Sequence, residues 1–244
     1  MDIIKFKEEV MEPVSCTFCT AKWKQVTLHL QTGHTHSCHH PTSHKIPLEE
    51  LKDNPSALHN TKFKKEQRKL MLEGKRPEEC DYCWRVEDSG SNVLSDRTYK
   101  SFEPWARPYV DEIVSKPWDD NVNPSYLEVS FSSVCNFKCS YCSPQVSSKW
   151  MEEIKEHGPY KTSQSFNDLH HLIATDAMPI PNKEHNPYVE AFWKWWPDVS
   201  KDLKHFRITG GEPLLTKDTF KVLDDLIENP KPNLEFSVNS NMCV

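Results

Sequence analysis

The feature that most constrains this chain is a run of three cysteines, Cys135, Cys139 and Cys142, with the spacing C-x3-C-x2-C. The run directly follows residues 126–131, whose alternating apolar and polar side chains predict a β-strand. Three thiolates are therefore expected on one short loop at the end of a strand. Because a four-iron cubane is normally held by four cysteine thiolates, this loop would leave one iron with an open coordination position. An open position indicates reaction chemistry rather than a purely structural site.

Charge and hydropathy exclude several classes of protein. The 244 residues carry 30 basic and 36 acidic side chains, and no basic face indicates nucleic-acid binding. No segment approaches the roughly 18 consecutive apolar residues that cross a membrane, and the N-terminal residues lack a secretory signal. We therefore expect a cytoplasmic protein without nucleic-acid or membrane partners. Its nine cysteines are expected to be reduced and available for metal binding.

Strands and helices alternate after the cysteine loop. The later predicted elements are a helix that Ser147 or Ser148 caps, a helix that opens at Asn186, a strand over residues 204–208, a turn over 210–213, a helix over 216–229 and a strand over 234–238. The second helix carries an aromatic stripe that is expected to pack in the core, formed by Tyr188, Phe192, Trp195 and Trp196. This order predicts a parallel sheet with ligands at the carboxyl ends of its strands.

The three-cysteine loop and the downstream Gly-Gly-Glu-Pro turn together resemble the radical S-adenosylmethionine (SAM) enzyme superfamily. Either motif alone is ambiguous, since three cysteines can belong to a closed zinc or iron site. The resemblance implies that Cys135, Cys139 and Cys142 ligate a [4Fe–4S] cluster whose fourth iron binds the amino and carboxylate groups of SAM.

The same resemblance implies a SAM-binding role for residues outside the loop. Those that match the family's turn, which holds the methionine amino group, are Gly210, Gly211, Glu212 and Pro213. Glycines let the backbone approach a ligand closely, and a carboxylate accepts a charge-assisted bond from an ammonium group. Tyr141 matches the aromatic position near the adenine, and Ser240 with Asn241 resembles the step that contacts the ribose or the methionine.

Activity and partners also follow from the resemblance. Such enzymes cleave SAM reductively to a 5′-deoxyadenosyl radical, which abstracts a hydrogen atom from the substrate. They take the electron from a donor such as a flavodoxin or ferredoxin. Neither a catalytic side chain nor the individual substrate can be read from this sequence. The alternative function is a non-catalytic iron–sulfur or zinc-binding protein.

The N-terminal cysteines resemble a second kind of site. Cys19, Gly33 and Cys38 have the spacing C-x13-G-x4-C, and Cys80 with Cys83 adds a later C-x2-C. This pattern is similar to the auxiliary-cluster modules called SPASM and twitch. The shorter twitch type fits better, because no further cysteine occurs before Cys135. The resemblance implies that these four cysteines close a second [4Fe–4S] cluster, and relatives with such modules commonly act on peptides or proteins.

A zinc site is the alternative for the N-terminal cysteines. Two C-x2-C pairs, Cys16 with Cys19 and Cys80 with Cys83, could hold zinc tetrahedrally. Cys38 would then be spare. It lies in a histidine-rich stretch, residues 34–44, which is expected to be a solvated loop.

The expected architecture is α/β, with a small cysteine-rich metal-binding module before a partial (β/α) TIM-type barrel of the radical SAM kind. The predicted divisions are a module over residues 1–100, a linker over 101–124 and the barrel core over 125–244. About three barrel strands are visible where the resemblance implies six strand–helix units. We therefore expect either a truncated barrel or one that another chain completes.

One helix is expected inside the N-terminal module. It covers residues 55–73, with Asn54 as its N-cap and Gly74 at its end. The predicted packing positions are Leu58, Phe63, Leu70 and Met71. Its charged run, residues 62–69, is expected to be a solvated face.

Overall fold

The computed structural model describes residues 1–90, 93–163 and 166–243, which form a six-stranded sheet with helices. The strands are β1 (Gln25–His29), β2 (His34–His36), β3 (His44–Lys45), β4 (Tyr126–Ser130), β5 (His205–Thr209) and β6 (Glu235–Val238). Their order across the sheet is β3-β2-β1-β4-β5-β6. The pairs β1–β4, β4–β5 and β5–β6 are parallel, whereas β2 pairs antiparallel with β1 and β3 pairs antiparallel with β2. The α/β class is confirmed.

The helices surround this sheet. They are α1 (Ile3–Phe6), α2 (Ala21–Lys24), α3 (Leu48–Leu51), α4 (Lys62–Leu72), α5 (Asp81–Asp88), α6 (Asp96–Phe102), α7 (Val110–Ser115), α8 (Ser148–His157), α9 (Leu169–Ala174), α10 (Pro187–Asp202) and α11 (Lys217–Glu228). Short 3-10 turns cover Pro55–Leu58, Glu78–Cys80, Arg107–Tyr109 and Pro213–Leu215, and a π-helical turn covers Lys7–Met11. None of the helices that the described residues form is both long and apolar enough to cross a membrane.

The strands predicted at residues 126–131, 204–208 and 234–238 are confirmed as β4, β5 and β6, with ends that differ by one residue. Their side chains alternate between two faces. Leu127 and its partner Phe206 are fully buried in the core that α10 covers. Glu128 and its partner Arg207 therefore project to the opposite, polar face of the sheet.

Helix α10 confirms the predicted cap and the predicted packing. The Asn186 side chain accepts hydrogen bonds from the backbone N–H groups of Tyr188 and Val189, at 2.9 and 3.2 Å, and Pro187 begins the helix. The predicted aromatic stripe is buried in the core beside the strands, at Tyr188, Phe192, Trp195 and Trp196. These rings therefore pack in the core, and Trp195 also lines an open surface cavity beside Asn123 and Asp198.

The sheet is continuous across the predicted domain division, because β1 pairs with β4 over Gln25–His29. The segment 101–124, predicted as a linker, packs closely against the N-terminal region. Trp105, Val110 and Val122 are buried in a second core together with Phe18 and Trp23. The division of the chain into module, linker and core stays a prediction, as does closure of the sheet into a barrel.

The helix predicted over residues 55–73 is wrong in its first half. A 3-10 turn covers Pro55–Leu58, and α4 begins only at Lys62, with Thr61 as its N-cap. The chain leaves helical geometry between them because buried side chains bind other segments. His59 Nε2 donates to Trp23 O at 2.7 Å, and Asn60 Nδ2 donates to Val122 O at 3.0 Å. Gly74, at φ +71°, ends α4 as predicted.

The burial pattern of α4 also differs from the prediction. Phe63, a predicted packing residue, is 43% exposed, whereas Lys64 and Arg68 are 2% and 0% exposed. The charged run is therefore not a uniformly solvated face. Its two buried cations lie on the same side of the helix as the fully buried Met71, at the i, i+4 and i+7 positions.

Candidate cofactor sites

The first turn of α8 holds the three-cysteine loop through the loop's own backbone. The Ser148 hydroxyl accepts from Cys135 N at 3.0 Å and donates to Cys135 O at 3.1 Å. Trp150 Nε1 donates to Cys139 O at 2.8 Å, and the Ser147 hydroxyl donates to Phe137 O at 2.8 Å. Because these bonds use backbone atoms, they shape the loop and leave the three thiols free for a ligand.

The three thiols of the loop share one partly exposed site. Burial and the neighbouring Cys139 and Cys135 raise the pKa of Cys142, which places the three groups within electrostatic reach of one another. A hydrogen bond with Cys139 raises the pKa of Tyr141, whose side chain is otherwise 87% exposed. Sulfur donors at this spacing suit iron, so the residues present fit a three-thiolate cluster site.

The Gly-Gly-Glu-Pro turn follows β5 and packs directly on the chain that leads into the cysteine loop. Gly211 N donates to Ser132 O at 3.1 Å, and Glu212 N donates to Val134 O at 2.6 Å. A Cβ atom on Gly211 would lie 2.1 Å from Val134 O. Only glycine permits this approach, so the turn and the loop form one backbone unit.

Gly210 creates a narrow space beside β4. It adopts φ +103°, and a Cβ atom there would lie 2.0 Å from Ser130 Oγ. The Ser130 hydroxyl is buried and has no hydrogen-bond partner among the described residues. A buried hydroxyl without a partner is uncommon, and this one lies at the meeting point of the two motifs. This feature fits a polar ligand at the seam between loop and turn.

Glu212 joins the turn to the segment after β6. Its carboxylate is 2% exposed and accepts from Leu214 N at 3.0 Å, Ser240 Oγ at 2.8 Å and Asn241 N at 2.7 Å. Asn241 Nδ2 in turn donates to Asn136 Oδ1 at 2.8 Å, inside the cysteine loop. The three segments predicted to bind SAM are thus linked by hydrogen bonds. The Glu212 carboxylate is engaged in holding them together.

A cavity separate from the three-cysteine loop is lined by the four N-terminal cysteines that were grouped in the sequence analysis. Its lining comprises Cys19, Ala21, Lys22, Ser37, Cys38, Met71, Cys80, Cys83, Asp96, Arg97 and Lys100. Cys16 does not line it. The Cys16 side chain is exposed, and its Sγ atom lies 3.8 Å from Gly74 O. This arrangement favours the set with Cys38 over the alternative set with Cys16.

Three thiols of this cavity, those of Cys38, Cys80 and Cys83, have raised pKa values that keep them protonated at neutral pH in the metal-free chain. Burial raises the pKa of Cys38 and of Cys80 to about 12 each, and that of Cys83 to about 11. Thiolate binding to iron or zinc would therefore release protons here. Lys22 lies among these groups with its ammonium on Glu79. Although burial opposes it, the pKa of Lys22 is raised by Cys80 and Glu79.

The spacing of the sulfurs distinguishes a single ion from a larger group. Tetrahedral zinc, with Zn–S bonds of about 2.3 Å, brings its sulfurs within about 3.8 Å of one another. Within the described part of the chain, the one set of three ligand atoms that lie within 4.8 Å of one another is His39, His40 and Asp96. No three of the described cysteine sulfurs lie within 4.8 Å of one another, so the four thiols are not gathered as closely as one zinc ion requires.

Sequence reasoning missed the residues that support these sites. Ser148 and Trp150 were read only as parts of a helix, although a serine and a tryptophan one turn after a cysteine loop can bind its carbonyl groups. Lys64 and Arg68 were assigned to solvent because they lie in a charged run. The signal that could have found them is their position one and two turns before Met71.

Comparison with known proteins finds similarity to GTP 3′,8-cyclases. The enzyme of Campylobacter lari is 27% identical over 116 residues, which are 48% of this chain and 27% of the relative. The enzyme of Sulfurovum sp. is 28% identical over 116 residues, 48% of this chain and 26% of the relative. That of Aliarcobacter butzleri is 30% identical over 93 residues, 38% of this chain and 20% of the relative.

These matches bear on the superfamily. The chain spans about a quarter of the length of the curated relatives it matches. No family model matches the chain, and no solved structure matches it. The similarity to GTP 3′,8-cyclases supports the radical SAM superfamily.

Proposed function

We propose that this chain acts as a radical SAM enzyme, with a [4Fe–4S] cluster on Cys135, Cys139 and Cys142 and with SAM beside the turn at residues 210–213. The observation that carries the proposal is the pair of backbone bonds, Gly211 N to Ser132 O and Glu212 N to Val134 O, that join the turn to the cysteine loop. The similarity to GTP 3′,8-cyclases supports the same chemistry.

The chain's own residues have distinct parts in this proposal. Three thiolates hold the cluster and leave one coordination position for SAM. Gly210 and Gly211 allow the ligand to approach the backbone, and Glu212 holds Ser240 and Asn241 where they can contact the bound molecule. Tyr141, which is largely exposed, would cover the adenine in this proposal. When bound, the reduced cluster supplies one electron that divides SAM into methionine and a 5′-deoxyadenosyl radical for hydrogen abstraction.

The proposal includes an auxiliary [4Fe–4S] cluster on Cys19, Cys38, Cys80 and Cys83. Their position around one cavity supports this assignment. Four thiolates complete the coordination of a cubane, so this second site has no position for SAM. Its roles would be electron relay, substrate anchoring or support of the fold.

The proposed substrate class is a peptide or protein, and the proposed electron donor is a flavodoxin or ferredoxin. The polar face of the sheet supports a polar substrate, because Glu128 and Arg207 meet there at 3.6 Å, close to the strand ends that carry both motifs. GTP is the competing substrate, since the relatives' name states it. An increase in 5′-deoxyadenosine formation on addition of GTP would contradict the peptide class.

The test is anaerobic reconstitution with iron and sulfide, followed by reduction in the presence of SAM. We expect on the order of eight irons per chain if both sites hold cubanes, together with formation of 5′-deoxyadenosine. Cys139→Ala should abolish this product. The matched control is Cys16→Ala, an exposed cysteine outside both sets, which should retain it. Cleavage of SAM that survives Cys139→Ala, or tightly bound zinc with little iron, would overturn the proposal.

A further inference from the structure

The buried cations of α4 adjoin the four-cysteine cavity. Lys64 and Arg68 share a face of the helix with Met71, which lines that cavity. Cys38 and Lys22, two further lining residues, lie close enough to Lys64 to affect its pKa. Arg68 Nε also donates to the backbone oxygen of Lys22 at 3.1 Å, so the two basic side chains lie outside the lining but directly behind residues that form it.

The hydrogen bonds of Arg68 all lead to uncharged groups. Its guanidinium donates to Lys22 O at 3.1 Å, Asn60 Oδ1 at 2.8 Å and His59 O at 3.2 Å. An arginine keeps its charge in proteins. Arg68 thus carries a fully buried positive charge whose hydrogen bonds are satisfied but whose charge is not balanced by these contacts.

Lys64 is in the same situation. Its Nζ atom lies 2.9 Å from His59 Nδ1. His59 is neutral, because burial and the neighbouring Lys64 and Arg68 hold its pKa well below the usual value. Its Nε2–H donates to Trp23 O at 2.7 Å, so Nδ1 is the acceptor for Lys64. The partner of this lysine is therefore an uncharged ring.

The other buried cations near the cavity do have counter-charges. Lys22 pairs with Glu79, and Arg97 pairs with Glu87 at 2.9 Å. In the part of the chain that the structure describes, no carboxylate oxygen lies within 4.0 Å of Lys64 Nζ or of the Arg68 guanidinium. Two buried basic side chains consequently lack a direct ion pair with a carboxylate, although Glu79 lies close enough to Lys64 to raise its pKa.

We infer that Lys64 and Arg68 balance the negative charge of a metal group bound by Cys19, Cys38, Cys80 and Cys83, which makes its retention depend on these two cations. The inference rests on the proposed function of that cavity. Four thiolates around a cubane carry a net charge of roughly minus two, which matches the two unbalanced cations. Burying a charge is unfavourable unless an opposite charge compensates it.

The state of Lys64 without metal agrees with this inference. Burial, together with Arg68 and Lys22, holds the pKa of Lys64 well below its ordinary value. A lysine in such surroundings loses its charge readily, and an anionic neighbour would restore it. Lys64 and Arg68 should therefore destabilise the metal-free chain and stabilise the loaded one.

The experiment uses the full chain with Cys135, Cys139 and Cys142 replaced by alanine, so that bound iron reports the four-cysteine cavity alone. Into this chain we introduce Lys64→Met or Arg68→Met, which remove a charge and keep a long apolar side chain. The matched control is Lys24→Met. Lys24 is also a buried lysine, 4% exposed, but it pairs with Glu112 at 3.3 Å. The readouts are the melting temperature with and without reconstituted cluster and the rate at which a chelator removes iron.

The expected result is a change of opposite sign in the two states. Without metal, Lys64→Met should raise the melting temperature by about 3–8 °C. With the cluster, the same substitution should accelerate iron loss about tenfold. Lys24→Met should lower the melting temperature in both states. A lower melting temperature for Lys64→Met and Arg68→Met in both states, with unchanged iron loss, would overturn the inference and leave only a packing role.

Loading the cavity with zinc tests the charge balance independently of the proposed auxiliary cluster. If the cavity takes zinc but not iron and sulfide, the auxiliary cluster is refuted. Four thiolates around zinc also carry a net charge of roughly minus two, so the opposite-sign pattern with zinc would still support the charge balance. A cavity that retains neither metal group would overturn both.

Discussion

The two cysteine groups differ in how the chain surrounds their sulfurs. The loop with Cys135, Cys139 and Cys142 is partly exposed and is shaped by hydrogen bonds to its backbone. In the four-cysteine cavity, by contrast, Cys19, Cys80 and Cys83 are between 5% and 8% exposed, and buried cations lie behind them. An accessible loop with three ligands suits a site that exchanges a small molecule. An enclosed set of four suits a group that stays in place.

The difference also shows how each site is stabilised. The loop depends on glycine contacts and on the neutral bonds of α8, so its geometry is set by backbone packing. The cavity depends on charge, since Lys22 lines it and the buried Lys64 and Arg68 lie behind the lining. Steric substitutions should therefore damage the first site most, and changes of charge or pH should damage the second.

Replacing one cysteine in each of the two sets gives the largest expected effect. Cys139→Ala should remove all SAM cleavage and leave about four irons in the cavity, whereas Cys80→Ala should leave about four irons on the loop and retain cleavage. Iron and sulfide analysis and 5′-deoxyadenosine formation measure both. The comparison would break if Cys80→Ala abolished cleavage while iron at the loop remained, because the cavity would then be required for the reaction.

Gly210→Ala tests the steric side of the comparison. The new Cβ atom would meet Ser130 Oγ at 2.0 Å, at a φ of +103° that alanine rarely adopts. We expect a loss of about 3 kcal/mol in the free energy of unfolding, measured in urea. The matched control is Gly158→Ala, which has φ +79° and no atom within 4 Å. Its backbone, at φ +79° and ψ 172°, lies in a region that is nearly restricted to glycine, so the substitution carries only backbone strain, about 2 kcal/mol. Equal losses would mean that packing against Ser130 contributes nothing.

Glu212→Gln tests the hydrogen bonds that link the turn to Ser240 and Asn241. An amide has one oxygen acceptor in place of two, so the buried side chain loses part of its three hydrogen bonds. We expect about 2 kcal/mol less stability and weaker SAM binding, by urea unfolding and equilibrium dialysis. Glu9→Gln, on an exposed side chain, is the control and should change neither. Unchanged SAM binding in Glu212→Gln would show that the hydrogen bonds from Glu212 to Ser240 and Asn241 do not contribute to SAM binding.

Much of the fold was predictable because local rules determine it. The strands β4, β5 and β6 alternate in hydrophobicity, and α10 carries a cap residue, a proline and an aromatic stripe at helical spacing. The break before α4 was not predictable, because it depends on side chains of His59 and Asn60 that bind distant backbone.

The candidate sites divide in the same way. The resemblance to known modules grouped the four N-terminal cysteines, while their spacing also allowed a set with Cys16; in the structure Cys19, Cys38, Cys80 and Cys83 line one cavity. The burial of Lys64 and Arg68 escaped prediction because a charged run normally faces water. Only the position of α4 against the cavity shows that these two charges point inward. Long-range packing, rather than local pattern, decides which charges become part of a site.

The pH dependence of the unfolding free energy gives the smallest expected effect. It tests whether buried charge near the four-cysteine cavity makes the metal-free chain sensitive to acid. Burial, with Lys64 and Lys22 nearby, lowers the pKa of His44 to about 3. Between pH 6.5 and about 3 the unfolded chain therefore binds a proton at His44 that the folded chain does not, so stability falls as the pH falls. From pH 6.5 to 5 this amounts to about 1–2 kcal/mol. His44→Gln should reduce the loss by that amount in urea unfolding of the metal-free chain. His170→Gln, on an exposed histidine, should leave it unchanged. An unaltered pH dependence in His44→Gln would mean that the acid sensitivity arises outside the surroundings of the four-cysteine cavity.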